Sequence, residues 1–190
     1  MIVQMTLLED VIFGNGESIP GEEDISILRD DFGFPYYKGS SFKGIFREEL
    51  GRLLEWENVE NADAIIKKLL GEAGSDDSNS NAQICFSDFV ISDKIKSSVL
   101  AETKDTKEII DAFSSIRTFT SIDESGMVKE GSLRSARCVN KGIHLYSEIS
   151  CNDEDKELIK EVFSLIKWLG TMRNRGFGRV LIEEYKEVDE

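Results

Sequence analysis

The fold of this chain is decided by residues 142–185, which read GIHLYSEISCNDEDKELIKEVFSLIKWLGTMRNRGFGRVLIEEY. The first part, residues 142–150, alternates apolar and polar side chains, a pattern typical of a half-buried strand. Apolar residues then recur every three to four positions to about Leu169, and this spacing predicts an amphipathic helix. The last part, residues 178–185, again favours a strand. The stretch therefore predicts a strand–helix–strand unit.

The amino-terminal half repeats this order of elements. Residues 2–12 are rich in β-forming side chains, a helix to about Trp56 follows, and ICFSDFVI at residues 84–91 alternates as a strand. Two such units in succession form the split βαβ pattern. We therefore predict an α+β, ferredoxin-like βαββαβ fold in a single domain over residues 1–190. RNA-recognition domains share this topology, but their aromatic RNA-stacking motif is absent from the sequence.

Inserted segments separate these elements. A long loop covers residues 13–37, and the polar tract GEAGSDDSNSNAQ at residues 71–83 has no apolar anchor and is predicted to be mobile. Short helices are predicted over residues 61–70 and 106–116. Residues 117–142 begin as an extended segment and predict a projecting hairpin.

The composition limits what the chain does alone. Its 190 residues include 37 acidic and 23 basic side chains, which give a net charge of −14. Such a charge opposes binding to free nucleic acid and to anionic membranes. No apolar run approaches the length of about 20 residues that a membrane helix needs, and the opening residues turn acidic too early for a signal peptide. We expect a cytoplasmic protein with no membrane partner.

The cysteines and the single histidine indicate no site of their own. The three cysteines, Cys85, Cys138 and Cys151, are widely spaced without a metal or redox pattern and are interpreted as core fillers. His144 lies on a predicted strand, where a lone histidine is more often structural than catalytic.

Basic charge is concentrated in three glycine-bearing stretches. Residues 32–52 contain four basic and two acidic side chains, residues 117–142 five and three, and residues 171–180 three and none. Any one of them is equally consistent with a solvated face. The three together favour a basic surface within an acidic protein.

The segment GFPYYKGSSFKGIFREEL, residues 33–50, predicts an anion site at the start of the first helix. Gly39 permits a close approach of the backbone, and the free N–H groups after it point beyond the helix terminus, where phosphate binds. Gly44 costs about 1 kcal/mol relative to Ala, which indicates a need for backbone access. The side chains that would add donors are Ser40, Ser41, Lys43 and Arg47. The alternative is a capped helix whose glycine packs against the sheet.

The segment LGTMRNRGFGRV, residues 169–180, links the last helix to the last strand and predicts a second phosphate site. Its glycines and arginines interleave: Gly170, Gly176 and Gly178 with Arg173, Arg175 and Arg179. Small residues let another backbone approach, and guanidinium groups form paired hydrogen bonds to phosphate. An ordinary loop with charge-balancing arginines is the alternative.

The hairpin of residues 117–142 is the third basic stretch. Gly126 and Gly131 lie near its turn, and Met127 and Val128 are predicted to be exposed near its tip. Exposed apolar side chains on a projecting hairpin suit insertion into a partner or between bases. A plain surface hairpin fits these residues equally well.

Four segments together resemble a known family. They are PYYKGSSFKGIFREEL (35–50), CFSDF (85–89), RTFTSID (117–123) and RNRGFGRV (173–180). They resemble the repeat-associated mysterious protein (RAMP) superfamily of CRISPR systems, and their order and spacing are most similar to the type III backbone subunits of the Cas family-seven type. The resemblance covers nearly the whole chain. One departure is Lys38-Gly39, which stands where the family has Pro-Gly and adds a positive charge.

The resemblance implies a ferredoxin-like palm with a thumb at residues 117–142, stacked with copies or paralogues of itself and other subunits along a guide RNA. The thumb would interrupt the duplex of guide and target RNA. The RNA-binding residues implied are Lys38, Gly39, Ser40, Ser41, Lys43, Arg47, Arg117, Met127, Val128, Arg173, Arg175, Gly176, Gly178 and Arg179. Because the isolated chain is acidic, we expect it to bind RNA weakly and in a salt-sensitive way.

The resemblance also implies metal-dependent cleavage of the target RNA. Type III backbones use one aspartate in the loop after the first strand, and Asp24, six residues before Asp30, matches that pattern. Asp24 would be the catalytic residue and would hold Mg²⁺ or Mn²⁺, while the target ribose 2′-OH attacks in line. Neighbouring acids crowd the same loop (Glu22, Glu23, Asp30 and Asp31), so an inert solvated carboxylate is the alternative.

Two other functions stay open, and a third is disfavoured. The chain could be a non-catalytic guide-RNA-binding scaffold of the same complex, or an acidic ferredoxin-like protein-interaction module that binds no RNA. A stand-alone guide-processing nuclease of the superfamily commonly uses histidine, and the position of His144 argues against it.

Overall fold

The structure of the chain is a computed structural model, and it describes residues 1–72, 82–122, 124–129 and 131–186. Most of the polar tract at residues 71–83 lies outside the described residues. No helix in the described ranges is long and apolar enough to cross a membrane.

The described residues form six strands and five α-helices. The strands are β1 (Ile2–Leu7), β2 (Cys85–Phe86), β3 (Ser114–Phe119), β4 (Arg134–Val139), β5 (His144–Ser150) and β6 (Val180–Glu184). The helices are α1 (Gly39–Trp56), α2 (Ala62–Leu70), α3 (Asp93–Glu102), α4 (Thr106–Phe113) and α5 (Lys156–Leu165).

Within the described residues, four of the strands form one antiparallel sheet in the order β2-β5-β1-β6. The units β1-α1-β2 and β5-α5-β6 each supply one central and one edge strand, and the two units interleave. Met5 of β1 lies opposite Leu145 of β5 and Ile182 of β6. The predicted α+β, ferredoxin-like βαββαβ fold is confirmed.

The core lies between the sheet and the helices α1 and α5. Val3 and Met5 are fully buried because alternate residues of β1 point to the same face of the sheet. Phe42 and Phe46 of α1 contact Phe163 of α5, with ring centroids 6.0 and 5.9 Å apart. Burying one such side chain stabilises the fold by about 1.5–3 kcal/mol. Aromatic packing therefore fixes the two helices relative to each other.

Gly39 is the point where α1 is attached to β2. A Cβ atom there would overlap the carbonyl oxygen of Phe86 and lie 2.6 Å from that of Ser87. The Gly39 N–H donates to Asp88 Oδ1 at 2.8 Å. Gly44, by contrast, is exposed and faces open space, so the alternative that this glycine packs against the sheet is wrong.

Strand β2 is shorter than the predicted strand of residues 84–91. Phe89 turns away from β5 and exchanges both backbone hydrogen bonds with Tyr37, at 2.9 Å each. Val90 then returns to β5 and bonds with Tyr146 at 2.9 and 2.7 Å. Residues 84–91 are therefore extended, as predicted, but they do not pair with one strand throughout. Their hydrogen-bonding partner changes from β5 to Tyr37 at Phe89 and back to β5 at Val90.

Helix α5 ends before Leu169, where the sequence predicts its end. Trp168 pairs with Arg179 instead, and the Leu169 N–H donates to the Gly178 carbonyl at 2.8 Å. Because of these bonds, the residues that follow α5 leave the helix and run alongside the residues just before β6.

Two further helices depart from the prediction. Helix α3 lies outside the predicted elements, and none of its residues, all of which are described, is buried. It therefore lacks the apolar periodicity on which such a prediction depends. The helix predicted over residues 106–116 is α4, which ends at Phe113 because β3 begins at the next residue.

Strands β3 and β4 form the predicted hairpin as a separate antiparallel pair, from Ser114 opposite Val139 to Phe119 opposite Arg134. The base of the hairpin is buried, since Ala136 of β4 has no exposed surface. The hairpin starts three residues earlier than the segment predicted for it.

The cysteines only partly fill the core. Burial raises the pKa of the Cys138 thiol to about 12 and keeps it neutral at physiological pH. Cys151 is half-buried and Cys85 is exposed, so the prediction that cysteines are core fillers is wrong for Cys85.

Two alanine substitutions on α1 test the attachment at Gly39. Gly39→Ala pushes a methyl group against the β2 carbonyls, and we expect the free energy of unfolding to fall by about 1–3 kcal/mol. The matched control, Gly44→Ala, meets open space and removes the glycine penalty, so it raises that free energy by about 0.5–1 kcal/mol. Urea unfolding followed by circular dichroism measures both. A Gly39→Ala variant as stable as the parent would contradict this account.

Candidate nucleic-acid interface

The segment that follows β1, residues 8–13, joins the elements that carry the basic stretches, and we call it the crossing segment. Val11 exchanges backbone hydrogen bonds with Val139 of the hairpin, at 3.0 and 2.8 Å. The Asp10 carbonyl accepts the Gly178 N–H at 2.9 Å, and the Ile12 carbonyl accepts the Thr171 N–H at 3.2 Å. The crossing segment thus holds the hairpin and the glycine-rich loop of residues 169–180 side by side.

The start of α1 is joined to the same place by aromatic stacking. Phe13, the last residue of the crossing segment, stacks on Tyr37 with ring centroids 4.5 Å apart. Tyr37 lies two residues before Gly39, where α1 begins. All three glycine-bearing basic stretches therefore meet around the crossing segment.

The Asp10 carboxylate binds the hairpin directly. Its Oδ2 accepts hydrogen bonds from Arg117 Nη2 at 2.6 Å and Nε at 3.1 Å, and its Oδ1 accepts the Lys141 N–H at 3.1 Å. The hydrogen bond to Asp10 and its charge raise the pKa of Arg117. Arg117 is half-exposed, and its charge is partly compensated by Asp10.

The glycine-rich loop presents its arginines on a tight turn. Arg173–Arg175 form one 3-10 turn between Met172 and Gly176, whose φ angles of 57° and 87° are both in the left-handed region. Gly178 also has a φ of 87°, and a Cβ atom on it would overlap the Leu169 carbonyl. The glycines thus serve the shape of the loop, and Arg173, Arg175 and Arg179 are exposed on it.

Two contacts connect this loop to its neighbours. The Arg175 guanidinium lies over the Phe119 ring of β3, 5.8 Å from its centroid, in a cation–π contact. Phe119 also meets Phe177 edge to face at 5.6 Å. On the other side, burial raises the pKa of Tyr37 to about 12, and the nearby charge of Arg173 opposes that rise. Arg173 is therefore near enough to Tyr37 to act on it electrostatically, and Arg175 contacts Phe119 at the end of β3 that leads into the hairpin loop.

The predicted donors at the start of α1 are in different surroundings. Lys38, Ser40 and Ser41 are exposed, whereas Lys43 is buried. Arg47 Nη2 donates to the carbonyl oxygens of Leu70 and Gly71 at 3.1 and 2.9 Å, at the end of α2. Arg47 thus joins two helices, and the exposed donors of this segment lie at residues 38–41.

The hairpin tip is apolar and exposed, as predicted. Met127 and Val128 expose 68% and 65% of their surface, and Ile122, which pairs with Val128, exposes 68%. Leu133 adds a further exposed aliphatic side chain at 62%. Four large apolar side chains in the described part of the loop that connects β3 and β4 exceed the scattered singles that a surface normally carries.

Asp24 is exposed and is held by β4. Its Oδ2 accepts hydrogen bonds from the Ser135 N–H at 2.7 Å and the Ser135 hydroxyl at 3.3 Å, and its own N–H donates to the Ser135 carbonyl at 3.0 Å. No hydrogen bond or ion pair within the described part of the chain reaches its Oδ1. One carboxylate oxygen thus anchors Asp24 and the other is open.

The other acids of this loop have structural partners or are simply exposed. Asp30 accepts the N–H groups of Phe32 and Phe34 and pairs with Lys96 at 2.9 Å, so it shapes a turn. Glu23 is buried against Arg137 of β4. Glu22 and Asp31 are exposed. The histidine lies elsewhere, on the exposed face of β5, where His144 Nδ1 is 3.0 Å from both Gln4 Nε2 and Thr6 Oγ1.

The described residues contain no cluster of three or more His, Cys, Asp or Glu side chains that could hold a metal ion. Asp24 fits a metal as a single ligand, because its Oδ1 is open. Mg²⁺ is commonly held by one or two carboxylates together with substrate phosphates and water. The remaining ligands would come from RNA and solvent.

Several residues of this interface are missed by sequence reasoning. Asp10, Phe119 and Tyr37 build it through contacts with residues more than 20 positions away. Arg137 lies in a predicted basic stretch, but its partner Glu23 is 114 positions distant. Composition gave a partial signal, because Tyr37 and Phe119 lie within two of the glycine-bearing stretches, whereas Asp10 lies outside all three.

Fold and surface together define a ferredoxin-like protein with a separate β-hairpin and exposed arginines on the glycine-rich loop beside it. The family model of the RAMP superfamily matches residues 4–181. The chain therefore belongs to the RAMP superfamily, as the sequence resemblance implied.

Solved structures with the same fold come from type III-B Cmr-β complexes studied by cryo-EM. A chain of the complex bound to cognate target RNA matches with a TM-score of 0.66 and 15% identity, over 96% of this chain and 95% of that one. A chain of the apo state matches with a TM-score of 0.69 and 14% identity, over 98% and 97%. At this identity the likeness shows the fold. Comparison with curated proteins finds no match in sequence.

The role of Asp10 as the attachment point is testable by mutation. Asp10→Ala removes the acceptor of Arg117 and of the Lys141 N–H, and we expect the free energy of unfolding to fall by about 1.5–3 kcal/mol, the range for hydrogen bonds to a charged group. The neighbouring exposed residue gives the control, Glu9→Ala, which should change it by less than about 0.5 kcal/mol. Chemical unfolding of both variants is the measurement, and equal stabilities would contradict the assignment.

Proposed function

We propose that the chain is a subunit of a type III CRISPR RNA-guided effector complex and binds guide RNA on the surface around the crossing segment. The observation that carries the proposal is the convergence of three basic, glycine-bearing stretches on residues 8–13 of a RAMP fold. The two similar chains, from Cmr-β complexes, one of them bound to cognate target RNA, support the same class. Its partners are guide RNA, target RNA and other subunits, including copies or paralogues of itself.

The arrangement suits a phosphate backbone. Arg173 and Arg175 are exposed on a turn that contacts the hairpin at Phe119, and the charge of Arg173 acts on Tyr37, two residues before α1. Ser40 and Ser41 are exposed at the start of α1, where the helix dipole favours an anion. The Gly39 N–H is already bonded to Asp88 and the Phe42 N–H to the Lys38 carbonyl, so the serine side chains are the donors in question. Gly44, one turn further on, leaves open space in which an RNA strand approaches the helix backbone. Guide phosphates would follow this line of donors.

The apolar hairpin tip has a separate role. Methionine and valine side chains that are two-thirds exposed gain stability when they are covered by bases or by a neighbouring subunit. We assign Met127 and Val128 to the place where the hairpin enters the duplex of guide and target RNA. Ile122 and Leu133 widen the same apolar surface.

Removal of the two loop arginines tests guide binding. In complexes assembled with Arg173→Ala/Arg175→Ala subunits, we expect at least a tenfold loss of affinity for labelled guide RNA, about 1.4 kcal/mol. The slope of log K against log salt should also shrink by about 0.7 for each guide phosphate that no longer pairs with an arginine. The control is Arg52→Ala, because Arg52 pairs with Glu48 and Glu49 on the exposed face of α1. Equal salt slopes for the two variants would contradict the proposal.

We further propose that Asp24 makes the subunit a metal-dependent ribonuclease for paired target RNA. Its open Oδ1 would be a ligand for Mg²⁺ or Mn²⁺, which supplies charge neutralisation at the scissile phosphate. Ser135 holds the carboxylate in place near the start of β4, at the end of the ladder next to the loop of the hairpin that would interrupt the duplex. Non-catalytic scaffolding is the second candidate, favoured by the lack of a multi-carboxylate cluster among the described residues.

Two substitutions in the same loop separate these candidates. In the assembled complex with Mg²⁺ we expect Asp24→Asn to slow target cleavage by about 100-fold or more, because the amide is a poor metal ligand. Asp31→Asn removes an equally exposed acid from the same loop and should leave the rate within about twofold. Gel analysis of labelled target RNA under single-turnover conditions gives both rates. A cleavage rate that is unchanged in Asp24→Asn would contradict the ribonuclease function and favour the non-catalytic scaffold.

A further inference from the structure

The loop segment that carries Asp24 is joined to β4 of the hairpin by one isolated bridge. Ile25 forms a parallel bridge with Ala136 of β4. The Ile25 N–H donates to the Ser135 carbonyl at 3.1 Å, and the Arg137 N–H donates to the Ile25 carbonyl at 3.0 Å. Asp24 is therefore attached to the thumb hairpin by main-chain bonds, although it lies in the loop between β1 and α1.

A buried ion pair fixes the same segment from inside. Arg137 Nε of β4 donates to Glu23 Oε2, and the Glu23 side chain has no exposed surface. Arg137 Nη1 also donates to Asp111 Oδ1 at 2.9 Å and to the Ser114 hydroxyl at 3.1 Å. Burial disfavours the charge of Arg137, but its hydrogen bonds to Glu23 and Asp111 outweigh burial and raise its pKa. The guanidinium stays charged and joins three elements.

The burial of Glu23 makes this pair matter for Asp24. Glu23 points inward to Arg137, and its neighbour Asp24, at a bend of the loop, is exposed. The other oxygen of Glu23, Oε1, is 4.0 Å from Arg29 Nη1. Because Glu23 would lose its pair with Arg137, a rotation of the segment that brought Glu23 out and turned Asp24 inward is disfavoured.

We propose that Arg137 is a positioning residue for Asp24: by holding Glu23 inward, it fixes the loop segment against β4 so that the Asp24 carboxylate points outward. The inference rests on the proposed ribonuclease function. Arg137 itself touches neither RNA nor metal in this assignment. Its side chain is only 8% exposed, and its guanidinium already forms hydrogen bonds with Glu23, Asp111 and Ser114.

The test uses the assembled complex with guide and paired target RNA. Removing Arg137 alone would leave a buried unpaired charge, so the informative variant is Glu23→Met/Arg137→Met, which removes both charges and keeps the volume filled. Glu23→Gln is the conservative control, because its amide oxygen still accepts from Arg137 Nε. Asp24→Asn is the reference for complete loss.

We expect the double methionine variant to assemble and to bind target RNA as the parent does, yet to cleave at least about tenfold more slowly and to need about 10–100-fold more Mg²⁺ for half-maximal rate. The Glu23→Gln control should cleave target RNA at a rate within about threefold of the parent's rate. If the double variant does not assemble, Arg137→Lys is measured in its place. The same loss of cleavage rate and the same rise in Mg²⁺ requirement are then expected for Arg137→Lys.

The two hypotheses fail in different ways. An assembled double variant that cleaves at the parent's rate, with the parent's Mg²⁺ requirement, would overturn the positioning role while Asp24→Asn stays slow. An Asp24→Asn variant that cleaves at the parent's rate would overturn the ribonuclease function itself.

Discussion

The crossing segment after β1 is the constraint on which the rest of the structure depends. In six residues it leaves the central strand of the sheet, pairs with the hairpin through Val11, and accepts the glycine-rich loop through the carbonyls of Asp10 and Ile12. Phe13 then stacks on Tyr37, two residues before α1 begins. Each of these partners carries one of the basic stretches. The surface that would hold RNA is therefore built by main-chain bonds to one short piece of chain.

The local concentration of basic charge is compatible with the proposed RNA partner of an acidic protein. Exposed charges farther apart than a Debye length, about 8 Å at physiological salt, largely do not affect each other. A local cluster of exposed arginines thus attracts phosphate although the whole chain carries −14. Asp10 reduces the positive charge of that cluster because it forms an ion pair with Arg117. The acidic helices outside it repel nucleic acid and leave one favourable surface.

The elements that depend on local periodicity were predictable, and the contacts that depend on distant partners were not. The interleaved βαβ units follow from the apolar patterns of β1, α1, β5 and β6. Helix α3 escaped prediction because it buries nothing, and the strand of residues 84–91 was overestimated because Phe89 pairs with Tyr37. In the site, the exposed arginines and the apolar hairpin tip follow from composition. The pair of Glu23 with Arg137 spans 114 positions, and no local pattern encodes it.

The most direct test of a single RNA surface is site-specific photo-crosslinking in the assembled complex. A photoreactive amino acid is placed at Ser41 at the start of α1, at Asn174 in the glycine-rich loop, and at Trp56, which lies at the far end of α1 and is 79% exposed. We predict that Ser41 and Asn174 crosslink to guide nucleotides within a few positions of each other and that Trp56 does not crosslink to the guide. Crosslinks from Ser41 and Asn174 to distant parts of the guide, or guide crosslinks from Trp56 alone, would contradict the account.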